Sequence, residues 1–394
     1  MNNFYYSWSK QNAAVDFPVA SAEADEFILA DGRRIYDFIC TSFQANFGHS
    51  HIAITDRIAR QLKEMPIASP KSTFALKQTV SSRLTDLVGL GPGKIFYTVS
   101  GSESVENALK IARQLTGRKI VLARKKSYHG ASLGALSVTG DWRNEPHVTF
   151  DEGTVRIPEH DEDPDLSLTK KIIDDTGPNS IAAIILETIS GTNGMSVPHP
   201  GWFTGIQTLC RENGIMLILD EVLVGFGRCG SAFAFQDYGL QPAMITMSKA
   251  ITGGYVPFGA VWTSPTIAAQ YDDNVLACGL TNYGHPLGLA ALESVLDTLE
   301  NPDFQTNKTA LEQIMADTLL PVANHSNVKE IRCRGLMAAV YLNGPAPSWQ
   351  QGFDAGMHLY SKRNLNILSP PYISTPEKLQ EMLDRYLTLA NIKV

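Results

Sequence analysis

Two ionisable residues break apolar runs at points where a chain should be most buried. Asp220 closes the run Ile215–Leu219, and Lys249 stands just beyond Met244–Met247, with Gly253 and Gly254 following it. The first run is continuous enough for a strand buried on both faces. A carboxylate and an ammonium at such strand ends are costly unless each finds a partner. In open α/β sheets the carboxyl ends of strands are also where ligands bind. The two residues could pair with each other or turn to solvent, but the glycines beside Lys249 leave room for close approach of a bound group. The chemistry these types suggest is an amine nucleophile and a carboxylate anchoring one cofactor.

Such residues need a scaffold, and the rest of the chain reads as one. Ile95–Val99, Ile120–Ala123, Ile181–Leu186, Ile215–Leu219, Met244–Met247 and Ala260–Trp262 read as strands. Between them lie helical patterns, among them Val105, Ala108, Leu109 and Ala112 on one face, and Trp202–Glu212. Strands spaced by helices imply βαβ units and a mostly parallel sheet. Ser100-Gly101-Ser102 is a strand-to-helix turn of small residues, able to present backbone N–H groups to a phosphate, although an ordinary helix start reads the same way. Glu187 ends one strand, and Tyr128-His129-Gly130 follows another. Upstream, Asp31-Gly32 predicts a hairpin, 53–65 an amphipathic helix, and Tyr5, Tyr6 and Trp8 core or interface filler. Downstream, 285–300 predicts a long helix, and the remainder mixes helices with short strands such as Leu336–Leu342.

Composition narrows the class. The 394 residues, 44% hydrophobic and 19% charged, suit a globular enzyme-sized protein and exclude a disordered chain. A net charge of −7 disfavours broad nucleic-acid or anionic-membrane binding, and no apolar run reaches the length of a membrane span. The N-terminal residues lack the form of a signal peptide. The five cysteines are scattered, without CxxC or Cys/His spacing, so no metal site is expected and a reduced cytoplasmic setting is.

The segments SGSESVENALKIAR, YHGASLGALSVTG, LDEVLVGFGR, SKAITGGYVPFGAV, TNYGHPLGLAAL and RCRGLM occur in one particular order. In that order the chain resembles, over nearly its whole length, the class III (omega-type) aminotransferases among pyridoxal-phosphate enzymes of fold type I. The resemblance implies an α/β large domain over 50–290 with a mostly parallel seven-stranded sheet flanked by helices. It also implies a smaller α+β domain built from 1–49 and 291–394, pyridoxal 5'-phosphate as cofactor, and a homodimer with a shared active site. Carried over residue by residue, it makes Lys249 the Schiff-base lysine, Asp220 the partner of the pyridine nitrogen, and Glu187 a carboxylate near the ring oxygen and substrate. Val222 and Tyr128 would lie against the two ring faces, Gly101 and Ser102 would cup the phosphate, and Thr281 would reach the phosphate of the neighbouring chain. His129 receives no role. The implied activity moves an amino group from a small-molecule amine or omega/beta-amino donor to an oxo-acid acceptor such as pyruvate. An aminomutase, racemase/epimerase or lyase on the same scaffold is the alternative, and a non-catalytic scaffold a more distant one.

Two departures bear on the donor. Leu223 stands where many members of the family have a glutamine, which leans toward the amine:pyruvate branch. Ile367 and Leu368 precede Ser369-Pro370 where some members place a carboxylate-binding arginine, and Tyr360 lies nearest the position used by the amine branch. Lys362 and Arg363 read as exposed loop charges rather than substitutes, and Arg143 is a candidate for anion recognition. Cys333 replaces a glycine often found in RCRGLM and has no functional account.

Overall fold

The computed structural model describes residues 3–147 and 153–393. Near the N-terminus β1 (Val19–Glu23), β2 (Glu26–Leu29) and β3 (Arg34–Tyr36) form an antiparallel sheet. The turn between β2 and β3 is the predicted one, with Gly32 at φ 86° and the Asp31 carboxylate accepting the Arg33 N–H at 3.0 Å.

The central sheet has seven strands: β4 (Lys94–Thr98), β5 (Ile120–Arg124), β6 (Thr154–Ile157), β7 (Ile181–Glu187), β8 (Met216–Asp220), β9 (Met244–Met247) and β10 (Gly259–Thr263). Their spatial order is β4-β10-β9-β8-β7-β5-β6. The pairs β6·β5, β5·β7, β7·β8 and β8·β9 are parallel, while β10 is antiparallel to both neighbours. This sheet is the expected one with a single reversed strand. β7 and β8 each run one residue further than the apolar pattern suggests, because Glu187 and Asp220 remain paired in the ladder.

Alternation along the strands supplies two cores. Ala183 and Ile185 of β7 and Ile218 of β8 face the helix Gly101–Thr116, whose Val105, Ala108, Leu109, Ile111 and Ala112 are buried. Ile184, Leu186, Leu217 and Leu219 face the opposite side, toward Trp202, Phe203 and Ile206 of the helix Pro200–Asn213. Apolar residues on both faces explain why these strands read as continuous runs.

The C-terminal part carries β11 (Val328–Arg334), β12 (Met337–Leu342), β13 (Tyr360–Lys362) and β14 (Leu365–Leu368), ordered β11-β12-β14-β13, and the helix Pro376–Leu389. It meets the N-terminal part through the backbone. Tyr36 N–H donates to Gly356 O at 2.9 Å, His358 N–H to Tyr36 O at 2.8 Å, and Ser369 N–H to Phe38 O at 2.7 Å. The turn Cys40–Phe43 has positive φ at all four residues, from 46° to 67°. That conformation is strained for residues other than glycine. It is held from both ends, as Thr41 Oγ1 donates to Asp37 Oδ2 at 2.8 Å and Cys40 Sγ–H to Ser369 O at 3.0 Å.

Candidate active site

The carboxyl ends of the strands open into a cavity of about 380 Å³. Gly101, Ser102, Tyr128, Glu187, Asp220, Val222 and Lys249 all line it. Thr281 does not; it is exposed on the loop leading to the helix Pro286–Glu300.

Asp220 ends β8, so ladder pairing fixes its backbone beside Glu187 on one side and Thr246 on the other. Its Oδ1 accepts the Val222 N–H at 3.0 Å. Its Oδ2 lies 2.7 Å from Nδ1 of buried His129. A carboxylate only accepts, so Nδ1 carries the hydrogen, and Nε2 of His129 has no hydrogen-bond partner among the described residues. His129 has no role in the sequence reading, although it adjoins Tyr128 in one motif; the structure makes it the group that orients Asp220.

Lys249 follows β9 with φ 52°. Burial brings its ammonium down to about 8, against the pull of Asp220 and Glu187, with Arg143 adding to the lowering. Glu187 is pushed up to about 7 by burial, opposed by the charges of His129 and Arg124, and Asp220 raises it further. It accepts the Tyr128 N–H at 3.3 Å. The site thus holds an amine and an acid that both change charge near neutral pH.

On the far side, the helix Gly101–Thr116 points its N-terminus at the cavity. Ser100 caps it by accepting the Glu103 N–H at 3.2 Å, and Glu103 reaches back to the Val99 N–H at 2.9 Å. The Gly101 and Ser102 amides ahead of Glu103 and the positive end of the helix are left for an anion. Ser102 Oγ accepts the Ala131 N–H at 3.0 Å, which leaves its own hydrogen to donate. Glycine is required at 101, because a Cβ there would lie 2.8 Å from Val222 Cγ1.

The remaining wall includes Trp8, Phe43, Arg143, Leu223 and Tyr360. Trp8 is therefore not core filler: it is half exposed and meets Trp142 edge-on at 5.8 Å. Arg143 lies 4.3 Å from the Tyr128 ring centroid and 5.5 Å from that of Trp8, and is bonded to Asp141. Its buried Nε has no hydrogen-bond partner among the described residues. Tyr360 O–H donates to Thr192 O at 3.3 Å. Lys362 and Arg363 are exposed and do not line the cavity, Ile367 and Leu368 are buried, and Cys333 lies in β11, away from it. Among the described residues no cluster of His, Cys, Asp and Glu could hold a metal, and no helix is long and apolar enough to cross a membrane.

A flat ring with an anion at one end and a basic nitrogen at the other answers these demands together, and pyridoxal phosphate is such a ring. The chain has the fold type I architecture of enzymes that use it. It belongs to the class-III aminotransferases: the profile of that family, Aminotransferase class-III, matches residues 8–388. It is 29% identical over 402 residues to an omega-aminotransferase of Caulobacter vibrioides, across 93% of this chain and 91% of that one. It is 32% identical over 362 residues to an acetylornithine aminotransferase of Corynebacterium efficiens, across 89% and 87%. Among solved structures it is similar to taurine:2-oxoglutarate aminotransferase from Bifidobacterium kashiwanohense in complex with PLP and glutamate. There the TM-score is 0.92 and the identity 31%, over 98% of this chain and 95% of that one. The protein is a pyridoxal-phosphate-dependent aminotransferase.

Proposed function

We propose that the amino donor is an ω- or β-amino compound with an anionic group at its far end, and that Arg143 binds that group. The observation that carries this reading is the Arg143 guanidinium in the cavity wall, stacked on Tyr128 with an unpartnered Nε. A planar guanidinium suits a carboxylate or sulfonate. Ile367 and Leu368 offer no charge beside Ser369, and Leu223 keeps the nearby wall apolar. The likeness to a taurine aminotransferase supports the same reading.

In this reading Lys249 Nζ would hold the cofactor and, once freed by the incoming amine, would take the proton from the donor's Cα and, in the second half of the cycle, give one to the acceptor's Cα. Bound pyridoxal phosphate supplies an aldehyde conjugated to a protonated pyridine ring that withdraws electrons from that carbon. Asp220, oriented by His129, keeps the ring nitrogen protonated. Val222 and Tyr128 cover the two ring faces, and Gly101 and Ser102 hold the phosphate. Glu187 stands by the ring oxygen and the incoming amine. Thr281 completes the phosphate site of a second copy in a homodimer. An oxo acid such as pyruvate or 2-oxoglutarate takes the amino group in the second half of the cycle. A large domain over 50–290 and a small one from both termini fit the way the end segments pair. Five free cysteines suit a cytoplasmic setting.

Turnover of taurine, β-alanine and a plain aralkylamine with each oxo acid tests the proposal. The anionic donors are expected to react best, releasing an oxo product matched by a new amino acid. Arg143→Gln should raise their KM about tenfold or more while sparing the plain amine. Preference for the plain amine, with Arg143→Gln indifferent, would overturn it.

A further inference from the structure

Arg124 ends β5 and is 1% exposed, deep behind the cavity. Its Nη2 donates to the backbone oxygen of Glu187 at 3.2 Å and lies 3.6 Å from Glu187 Oε2. Its Nη1 lies 3.7 Å from Oε2 of Glu159, itself buried just beyond β6. Neither carboxylate contact is a hydrogen bond at that length, and Nε and Nη1 have no hydrogen-bond partner among the described residues. Glu159 is fixed from another direction, since its Oε1 accepts the Lys126 N–H at 2.8 Å. A cation is therefore held between two acids and acts on them chiefly through its charge.

We propose that Arg124 is a positioning residue that sets the charge carried by Glu187, and that Glu159 is the counterweight limiting its effect. The other groups facing Glu187 are His129 and the Tyr128 amide from the loop after β5, Asp220 at the end of β8, and Lys249 after β9. His160, beside Glu159, also feels the Arg124 charge. Of these groups, Arg124 is the one joined to a second buried carboxylate behind the cavity. Burial alone drives Glu187 toward its neutral form and Arg124 opposes this; Glu159, 3.7 Å from the same guanidinium, competes for that charge. The arrangement uses the place of Glu187 in the cavity and not the identity of the donor, so failure of the Arg143 reading would leave it standing.

The signs give the test. In the holoenzyme the protonated carboxyl stretch of Glu187, assigned by its loss in Glu187→Gln, is followed by infrared titration beside the pH profile of kcat/KM. Arg124→Gln removes the cation, so the Glu187 titration should move up by about one to three pH units. Glu159→Gln frees the cation for Glu187, so the titration should move down. Arg124→Lys, which keeps the charge, should restore most of the original position. If Arg124→Gln does not fold, Glu159→Gln and Arg124→Lys carry the test. Movement of the two neutral variants in the same direction, or an unmoved Glu187 titration in Glu159→Gln, would overturn the proposal and leave Arg124 a purely structural ion.

Discussion

At Lys249 burial and charge pull against each other. Burial favours the neutral amine, Asp220 and Glu187 favour the ammonium, and the balance falls at about 8. The amine is the form that attacks an aldehyde, so cofactor loading into the cofactor-free protein should quicken as pH rises, with a midpoint about 8. Arg143→Gln removes a cation that lowers Lys249, so it should move this midpoint upward. Stopped-flow absorbance measures both, and borohydride reduction should then leave the cofactor's mass on the Lys249 peptide. A loading rate flat between pH 6 and 10 would remove Lys249 from this role. Lys249 and Asp220 were legible because a charge at the end of an apolar run is conspicuous. Arg124 carries the same signal, standing directly after Ile120–Ala123, but belongs to no motif that sets it apart from an ordinary strand-end charge. Trp8 was illegible for another reason: its place depends on Trp142 and Arg143, far along the chain.

Among the elements, the helix Gly101–Thr116 has the tightest requirement. Gly101→Ala would push a methyl group against Val222 and Ser248. Overpacking of this kind costs about 1–3 kcal/mol, which at this position should appear as cofactor affinity roughly ten- to a hundredfold weaker. Gly117→Ala at the other end of the same helix meets no atom within 4 Å, and its strain is confined to a backbone at φ 66°. It should lower stability while leaving the cofactor dissociation constant unchanged, as equilibrium dialysis would measure. The strands and this helix could be read from the sequence because each buries apolar residues at a regular period. The left-handed turn Cys40–Phe43 could not. It contains no glycine, and its shape is imposed by Asp37 and Ser369 from separate segments.

For the whole molecule, the open question posed by one chain is Thr281, exposed and outside the cavity. If it serves the neighbouring copy, a chain with Thr281→Ala and a chain with Lys249→Ala should complement each other. Their mixed dimer would contain one site with both residues intact, binding cofactor as the unaltered protein does, while each parent dimer is impaired. Light scattering gives the assembly and titration with cofactor the number of sound sites; no recovery in the mixture would count against sharing. A sequence read as a single chain names such a residue only through family likeness, since packing between copies leaves no periodic trace within one copy.

The reversal of β10 has a consequence for how the protein tolerates change. Because that strand runs against β9, the chain leaves the sheet, presents Lys249 and returns to the adjacent place without an intervening crossover. Lys249 therefore rides on a tether pinned at both ends to neighbouring rungs. Lengthening or shortening that tether by a residue would displace the amine while the rest of the architecture stood, whereas comparable edits in the outer helices would be absorbed before they reached it.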